Sequence, residues 1–317
     1  FGLIPRAHRC IFVLNELPDL QPRIQVSLFS ILEEKEIQIR GFKVRLPLDI
    51  QFIFTSNPED YTNRGSIVTP LKDRIGSQIL THYPESVDIA KTITSQESKL
   101  NSETISKIHI PEIARDIIEQ VSFEARESEL VDKKSGVSAR MSITSLQNLV
   151  SSAERRMLIN KEEITSIRMS DFNSVISSIN GKVELVYEGE EEGAEQVSYN
   201  LISDAVKTLF TKYFPKIEKL TKPDEISVYD SILEWFTVNQ VILRDDLSNK
   251  DYESILNKVK DADSLLNKFI PDIDKKDKLF FIEFLLWGLE SFKKLTIMRT
   301  NNGVEFKDPF NNFINKI

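Results

Sequence analysis

The chain has 317 residues, 40% hydrophobic and 28% charged, which is more than one compact core needs and enough for two or three ordinary globular units. A formal net charge of −8 argues against broad attachment to phosphate backbones, which needs clustered Lys and Arg, and leaves room only for a local basic surface. A single cysteine, Cys10, rules out an internal disulfide framework and any multi-cysteine metal site, and the scattered His8, His82 and His109 suggest no zinc cluster.

Phe1 rather than Met opens the sequence and the apolar run from Cys10 to Leu14 comes close behind it, so the chain reads as starting inside a larger protein. Cys10 to Leu14 has the pattern of a buried strand of a parallel sheet, and it ends in Asn15-Glu16. From Gln21 to Glu34 the residues Ile24, Leu28, Ile31 and Leu32 recur at helical spacing, with Pro22 suited to the first turn. Glu36 to Pro47 switches to a period of two on either side of Arg40-Gly41, the pattern of a β-hairpin. Ile50 to Thr55 predicts a second buried strand, followed by the polar run "SNPEDYTNRG". If the two strands run parallel, both deliver polar residues to one end of a sheet, where ligands bind in open α/β folds.

After Pro84 the spacing is helical, with Ile143, Leu146, Val150, Ala153 and Met157 at steps of three and four. Residues 182–200 are acidic and glycine-bearing and read as an exposed linker. Beyond them, helical patterns lie around Val228 to Leu243, Tyr252 to Phe269 and Lys278 to Met298, which predicts a helical C-terminal module over 201–317. The most apolar window, Leu279 to Leu289, is half the length of a membrane span and contains Glu283, so it predicts a core helix.

Glu16 and Asn57 each follow a predicted strand. A carboxylate at a strand end is poised to meet a ligand at little desolvation cost, and an amide can both donate to and accept from water. Each also has an ordinary explanation: an acid after a strand is commonly a surface or capping group, and Asn-Pro favours a turn.

The order of features narrows these alternatives. "GLIPRAHRCIFVLNELPDL", a helix, a hairpin with "IRG", "FIFTSNPED", "TPLKDRI" and a later "SAR" together resemble the AAA+ ATPases of the magnesium-chelatase ATPase-subunit and MoxR-like group, over Phe1 to Val183. The resemblance implies a partial AAA+ α/β core at 1–83, its parallel sheet carrying a pre-sensor 1 β-hairpin. A helical lid at 84–181, the acidic linker at 182–200 and the helical module at 201–317 would follow. It implies that Glu16 orients the attacking water and that Asn15 stands at the Walker B position whose aspartate helps to hold Mg2+. Asn57 is then the sensor 1 amide, Arg74 the arginine finger that reaches a neighbouring subunit, and Arg140 the sensor 2 arginine. The cofactors implied are ATP and Mg2+, and the partners a ring of identical subunits and a remodelled protein in the cytoplasm, without membrane or nucleic acid.

Two departures accompany this resemblance. The family's phosphate-binding loop, G-x-x-x-x-G-K-[ST], is expected several tens of residues before Phe1, and the only Gly-Lys here, Gly181-Lys182, lacks its context. The chain by itself is therefore expected to show no appreciable ATP turnover. Asn15 in place of aspartate removes a negative charge from the magnesium shell, which prefers anionic or water oxygens. That substitution motivates an alternative, a non-hydrolysing AAA+ scaffold that binds partners through its C-terminal helices. A third reading, a DNA-dependent regulator or helicase of the same AAA+ superclass, rests on the hairpin alone, whose Arg40, Lys43 and Arg45 make it locally basic.

Overall fold

The structure, a computed structural model, describes residues 2–39, 42–45, 47–57, 66–217, 227–300 and 302–309. It forms two compact units, Phe1–His82 and Tyr83–Ile317. The hairpin turn expected at Arg40-Gly41 and most of the polar run after Asn57 lie outside the described residues.

The first unit opens with α1 (Leu3–Arg6) and β1 (Ile11–Leu14), followed by a 3-10 turn at Leu17–Asp19 and helix α2 (Pro22–Glu33). Strands β2 (Glu36–Ile39) and β3 (Phe42–Arg45) pair antiparallel, Glu36 opposite Arg45, as the period-two pattern predicts. Strand β4 (Gln51–Phe54) lies parallel to β1, with Ile11 opposite Gln51 and Leu14 opposite Phe54, and α3 (Thr69–Lys72) follows. Leu17, Leu28, Ile31, Leu48 and Leu71 form a small core, lined by Leu14, Phe52 and Phe54.

Two expectations change here. β1 and β4 are not buried on both faces: Phe12, Leu14, Phe52 and Phe54 turn inward, while Ile11, Val13 and Ile53 stay exposed, because the described sheet has only two strands. In α2, Ile24 faces solvent and the buried stripe is Gln25, Leu28 and Ile31.

The second unit starts with α4 (Val87–Glu97), capped by the Ser86 hydroxyl, which accepts from the Ile89 amide at 3.3 Å. Then come α5 (Ser102–Lys107), β5 (Ile108–His109), α6 (Glu112–Glu127) and α7 (Arg140–Ile159). β6 (Thr165–Ser166) pairs parallel with β5 and leads into a 3-10 helix at Met169–Val175. Next are α8 (Ile176–Asn180), α9 (Tyr187–Glu192), α10 (Ala194–Tyr213) and α11 (Asp230–Phe236). After β7 (Val241–Arg244) come α12 (Asn249–Leu256), α13 (Ala262–Phe269) and α14 (Lys278–Ser291), and finally β8 (Thr296–Thr300) and β9 (Gly303–Lys307).

The region expected to be purely helical thus contains an antiparallel sheet in the order β7-β9-β8. In β7, Val241 and Leu243 point inward while Ile242 and Arg244 point out, the alternation of a half-buried strand. The stretch 182–200 differs from a linker as well. It holds α9 and the start of α10, and Val183 and Val197 belong to one continuous buried cluster that runs from Ile108 to Phe306.

Helix α14 is buried on all sides from Phe280 to Leu289, as its uniformly apolar sequence requires. It approaches α10 closely at Gly288, where a Cβ would come within 2.0 Å of the Phe210 ring. No helix among the described residues is long and apolar enough to cross a membrane.

Candidate functional site

In the first unit, the parallel register carries Asn15 and Glu16 past the carboxyl end of β1, and Thr55 and Asn57 past the same end of β4. Pairing continues beyond the strands: the Thr55 amide donates to the Leu14 carbonyl at 3.0 Å, and the Leu17 amide donates to the Thr55 carbonyl at 2.9 Å. The Thr55 hydroxyl joins the two polar residues. It accepts from the Glu16 amide at 3.1 Å and donates to Asn15 Oδ1 at 3.3 Å.

Glu16 adopts a left-handed backbone with φ +51°. For a residue with a long side chain this region costs on the order of 1–3 kcal/mol and persists only where its surroundings impose it. Here the buried Leu17 and Pro18 anchor the turn, and the flanking bonds to Thr55 hold the peptide. Glu16 and Asn57 are both exposed, so the carboxylate and the amide face solvent at one sheet end. Thr55 was not singled out by its sequence context, because a threonine closing a β-branched and aromatic run reads as one more strand residue.

Arg74 follows α3 in the same unit, but its described partners are elsewhere. Its Nε donates to Glu33 Oε2 at 2.6 Å, its Nη1 donates to the Pro70 carbonyl at 2.8 Å, and its guanidinium lies 5.2 Å from the Phe29 ring centre. The segment that leads to it is positioned by Gln25. This fully buried amide donates to the carbonyls of Leu20 and Ser66 at 2.9 and 3.2 Å and accepts from the Val68 amide at 2.9 Å. Replacing Gln25 by Leu strands those three backbone groups. The expected loss is about 1–3 kcal/mol of stability, read as a lower urea midpoint at unchanged slope.

Arg140 lies in the second unit, exposed, as the first residue of α7. Its amide donates to the Ser138 hydroxyl at 3.2 Å. The five candidate residues thus divide between the units: Asn15, Glu16, Asn57 and Arg74 in the first, Arg140 in the second.

A separate group of ionisable side chains in the second unit is fully enclosed. Arg156 donates to Thr165 Oγ1 at 2.7 Å, to the Ser166 carbonyl at 3.0 Å and to Asp171 Oδ2 at 2.7 Å. Arg168 stacks 4.1 Å over the Tyr252 ring and donates to the Leu247 carbonyl and to Asn249 Oδ1. Glu283 accepts from the Met169 and Ser170 amides at 2.9 and 3.0 Å and from the Tyr252 hydroxyl at 2.6 Å. Burial pushes the Glu283 carboxyl up to about 7 and the Arg168 guanidinium down to about 10. Buried and hydrogen-bonded to one another and to the backbone, these groups form a structural network joining residues 156–171 to 247–283.

Among the described residues, no group of three or more His, Cys, Asp or Glu side chains could hold a metal ion. Magnesium bound with nucleotide commonly takes one or two protein ligands and fills its shell with phosphate and water oxygens, so the Asn15-Glu16 end still fits an ATP-borne Mg2+. Asn15 supplies a neutral oxygen, already engaged by Thr55.

The family model of the Sigma-54 interaction domain matches residues 1–76. That domain is an AAA+ ATPase module, and the match supports an AAA+ ATPase-type segment over those residues. A solved structure described as a "putative ATPase" from Cytophaga hutchinsonii is similar at 18% identity, covering 61% of this chain and 64% of that one, with a TM-score of 0.25. The chain therefore spans less than two thirds of that protein's length. No curated protein matches.

Proposed function

We propose that residues 1–82 are part of a magnesium-chelatase or MoxR-like AAA+ core, and that the full-length protein hydrolyses ATP between subunits of a ring to remodel a protein partner. The observation that carries this reading is the parallel pairing of β1 and β4, which brings Asn15, Glu16, Thr55 and Asn57 to one sheet end with Thr55 bridging the strands.

In this reading ATP with its Mg2+ supplies the transferable γ-phosphoryl group, and the protein positions the water and balances charge on the phosphate oxygens. The Glu16 carboxylate accepts hydrogen bonds from a water and orients it. Its left-handed backbone is held by the Thr55 hydroxyl, and its side chain is exposed. The Asn57 amide donates toward the same space. Arg74 pairs with Glu33 at the last residue of α2 and has no bond to the Glu16 turn among the described residues, which suits a guanidinium that serves a neighbouring subunit's phosphate. Arg140, the first residue of α7, is the guanidinium that this reading assigns to sensor 2.

Glu16→Gln in the full-length protein is expected to lower steady-state phosphate release by about 100-fold or more while ATP binding persists. Phosphate release at the wild-type rate would end this reading. A second reading follows from Asn15: its amide lacks the charge that an aspartate gives the metal, which supports a scaffold that binds nucleotide without turnover. Asn15→Asp separates the two. A large gain in rate with unchanged partner binding favours the scaffold.

A further inference from the structure

Helix α2 ends in an acid. Glu33 is its last residue, Glu34 its C-cap, and no basic residue occupies the last turn. The carbonyl end of a helix carries partial negative charge and favours a cation, so a carboxylate there is disfavoured unless something else stabilises it. The stabilising group is Arg74, whose Nε donates to Glu33 Oε2 at 2.6 Å. Two further holds on Arg74, the Pro70 carbonyl and the Phe29 ring, are uncharged. Among the described residues, only the Glu33 contact consumes the charge of the guanidinium.

We propose that Glu33 is a positioning residue that latches Arg74 onto its own subunit, and that an anionic phosphate group competes with Glu33 for the guanidinium fork. The proposal rests on the assignment of Arg74 under the proposed function. Its chemistry is simple exchange of one oxyanion for another. A phosphate presents more charge and more acceptor oxygens than the Glu33 carboxylate, which takes the single Nε bond. The latch is weak enough to open. Side-chain exposures of 30% for Arg74 and 60% for Glu33 put the pair among partly exposed ion pairs, whose stabilisation changes an equilibrium by a factor of about five at most. Pro70 and Phe29 hold the guanidinium itself, through Nη1 and Cζ, so release of the carboxylate frees the Nε donor for a phosphate oxygen without unfolding the segment.

The test compares wild type, Glu33→Gln and Glu33→Asp by two readouts. The first is the rate at which phenylglyoxal, an arginine-specific dicarbonyl, modifies Arg74, followed by peptide mass spectrometry with exposed Arg140 as internal reference. Glu33→Gln is expected to speed Arg74 modification about two- to five-fold and Glu33→Asp to restore the wild-type rate. The second is ATP hydrolysis by the full-length protein at subsaturating ATP. Glu33→Gln is expected to raise it about two- to five-fold, an increase that disappears when Arg74→Gln is added.

An unchanged rate of Arg74 modification overturns the latch outright, whatever hydrolysis does. A fall in hydrolysis with Glu33→Gln overturns it as well, since the carboxylate would then assist Arg74 instead of restraining it. Faster modification with hydrolysis insensitive to both Glu33→Gln and Arg74→Gln overturns the competition with phosphate, and traces that failure to the assignment of Arg74 rather than to the ion pair.

Discussion

Arg156→Met is expected to destabilise the second unit by about 3–5 kcal/mol, the cost of breaking a buried ion pair from one side. Arg156 and Asp171 are 3% and 5% exposed, and the guanidinium is shared among Asp171, Thr165 and the Ser166 carbonyl. Methionine fills much of the volume but leaves the carboxylate buried with only the Ser152 hydroxyl and the Arg168 amide as donors. Lysine is a poor rescue, because one ammonium cannot span three acceptors that a planar fork reaches together. The double variant Arg156→Met/Asp171→Leu should recover a substantial part of the loss, since neither member of this ion pair is left without the other. Urea unfolding of the three variants checks this. A single-variant cost under about 1 kcal/mol would show that the pair is not the keystone its burial suggests.

Glu283 gives the second large effect, and its sign is set by pH. In the folded protein burial holds its carboxyl near 7, against an ordinary value of 4.5. Between those values the folded state keeps a proton that the unfolded chain has released, so this group's contribution to stability is complete below about 4.5 and is lost as pH rises toward 7. The difference corresponds to about 3 kcal/mol. Glutamine resembles the protonated acid and cannot titrate. The stability of wild type relative to Glu283→Gln is therefore expected to fall by roughly that amount between pH 4.5 and pH 7.5, measured as urea midpoints at fixed ionic strength. Parallel pH profiles for the two proteins would refute the assignment.

The first unit is the more legible of the two from sequence. The apolar runs around Phe12 and Phe52 and the period-two flanks of Arg40-Gly41 are local signals, and β1, the β2-β3 hairpin and β4 fall where those signals lie. Where α2 departs from expectation, the cause is tertiary. Gln25 is buried because the backbone at Leu20, Ser66 and Val68 needs its amide, a demand that no helical periodicity encodes.

Of the candidate residues, Asn15 and Glu16 are found together, and Thr55 explains how. Arg74 carries a partner, Glu33, whose separation in sequence hides it. In the second unit the misreadings share one origin. β7 is four residues long and pairs with β9, whose residues 303–307 lie far along the chain, so its alternation is too short to outweigh the helical spacing before it. Gly189 looks like a loop residue, yet a Cβ there would sit 2.5 Å from the Leu130 carbonyl oxygen; it is a packing glycine. Glu283 was visible as a charge in an apolar helix, but its partners at 168–170 and Tyr252 were not.

The continuous cluster from Ile108 to Phe306 has a mechanical corollary. Interiors packed at crystal-like density transmit strain rather than absorb it. α10 packs against both α6 and α14, and Arg168 and Glu283 tie the middle of the chain to its last third, so α7 sits in a core shared with both. Strain applied at Arg140 is therefore expected to reach the β7-β9-β8 sheet through this shared packing.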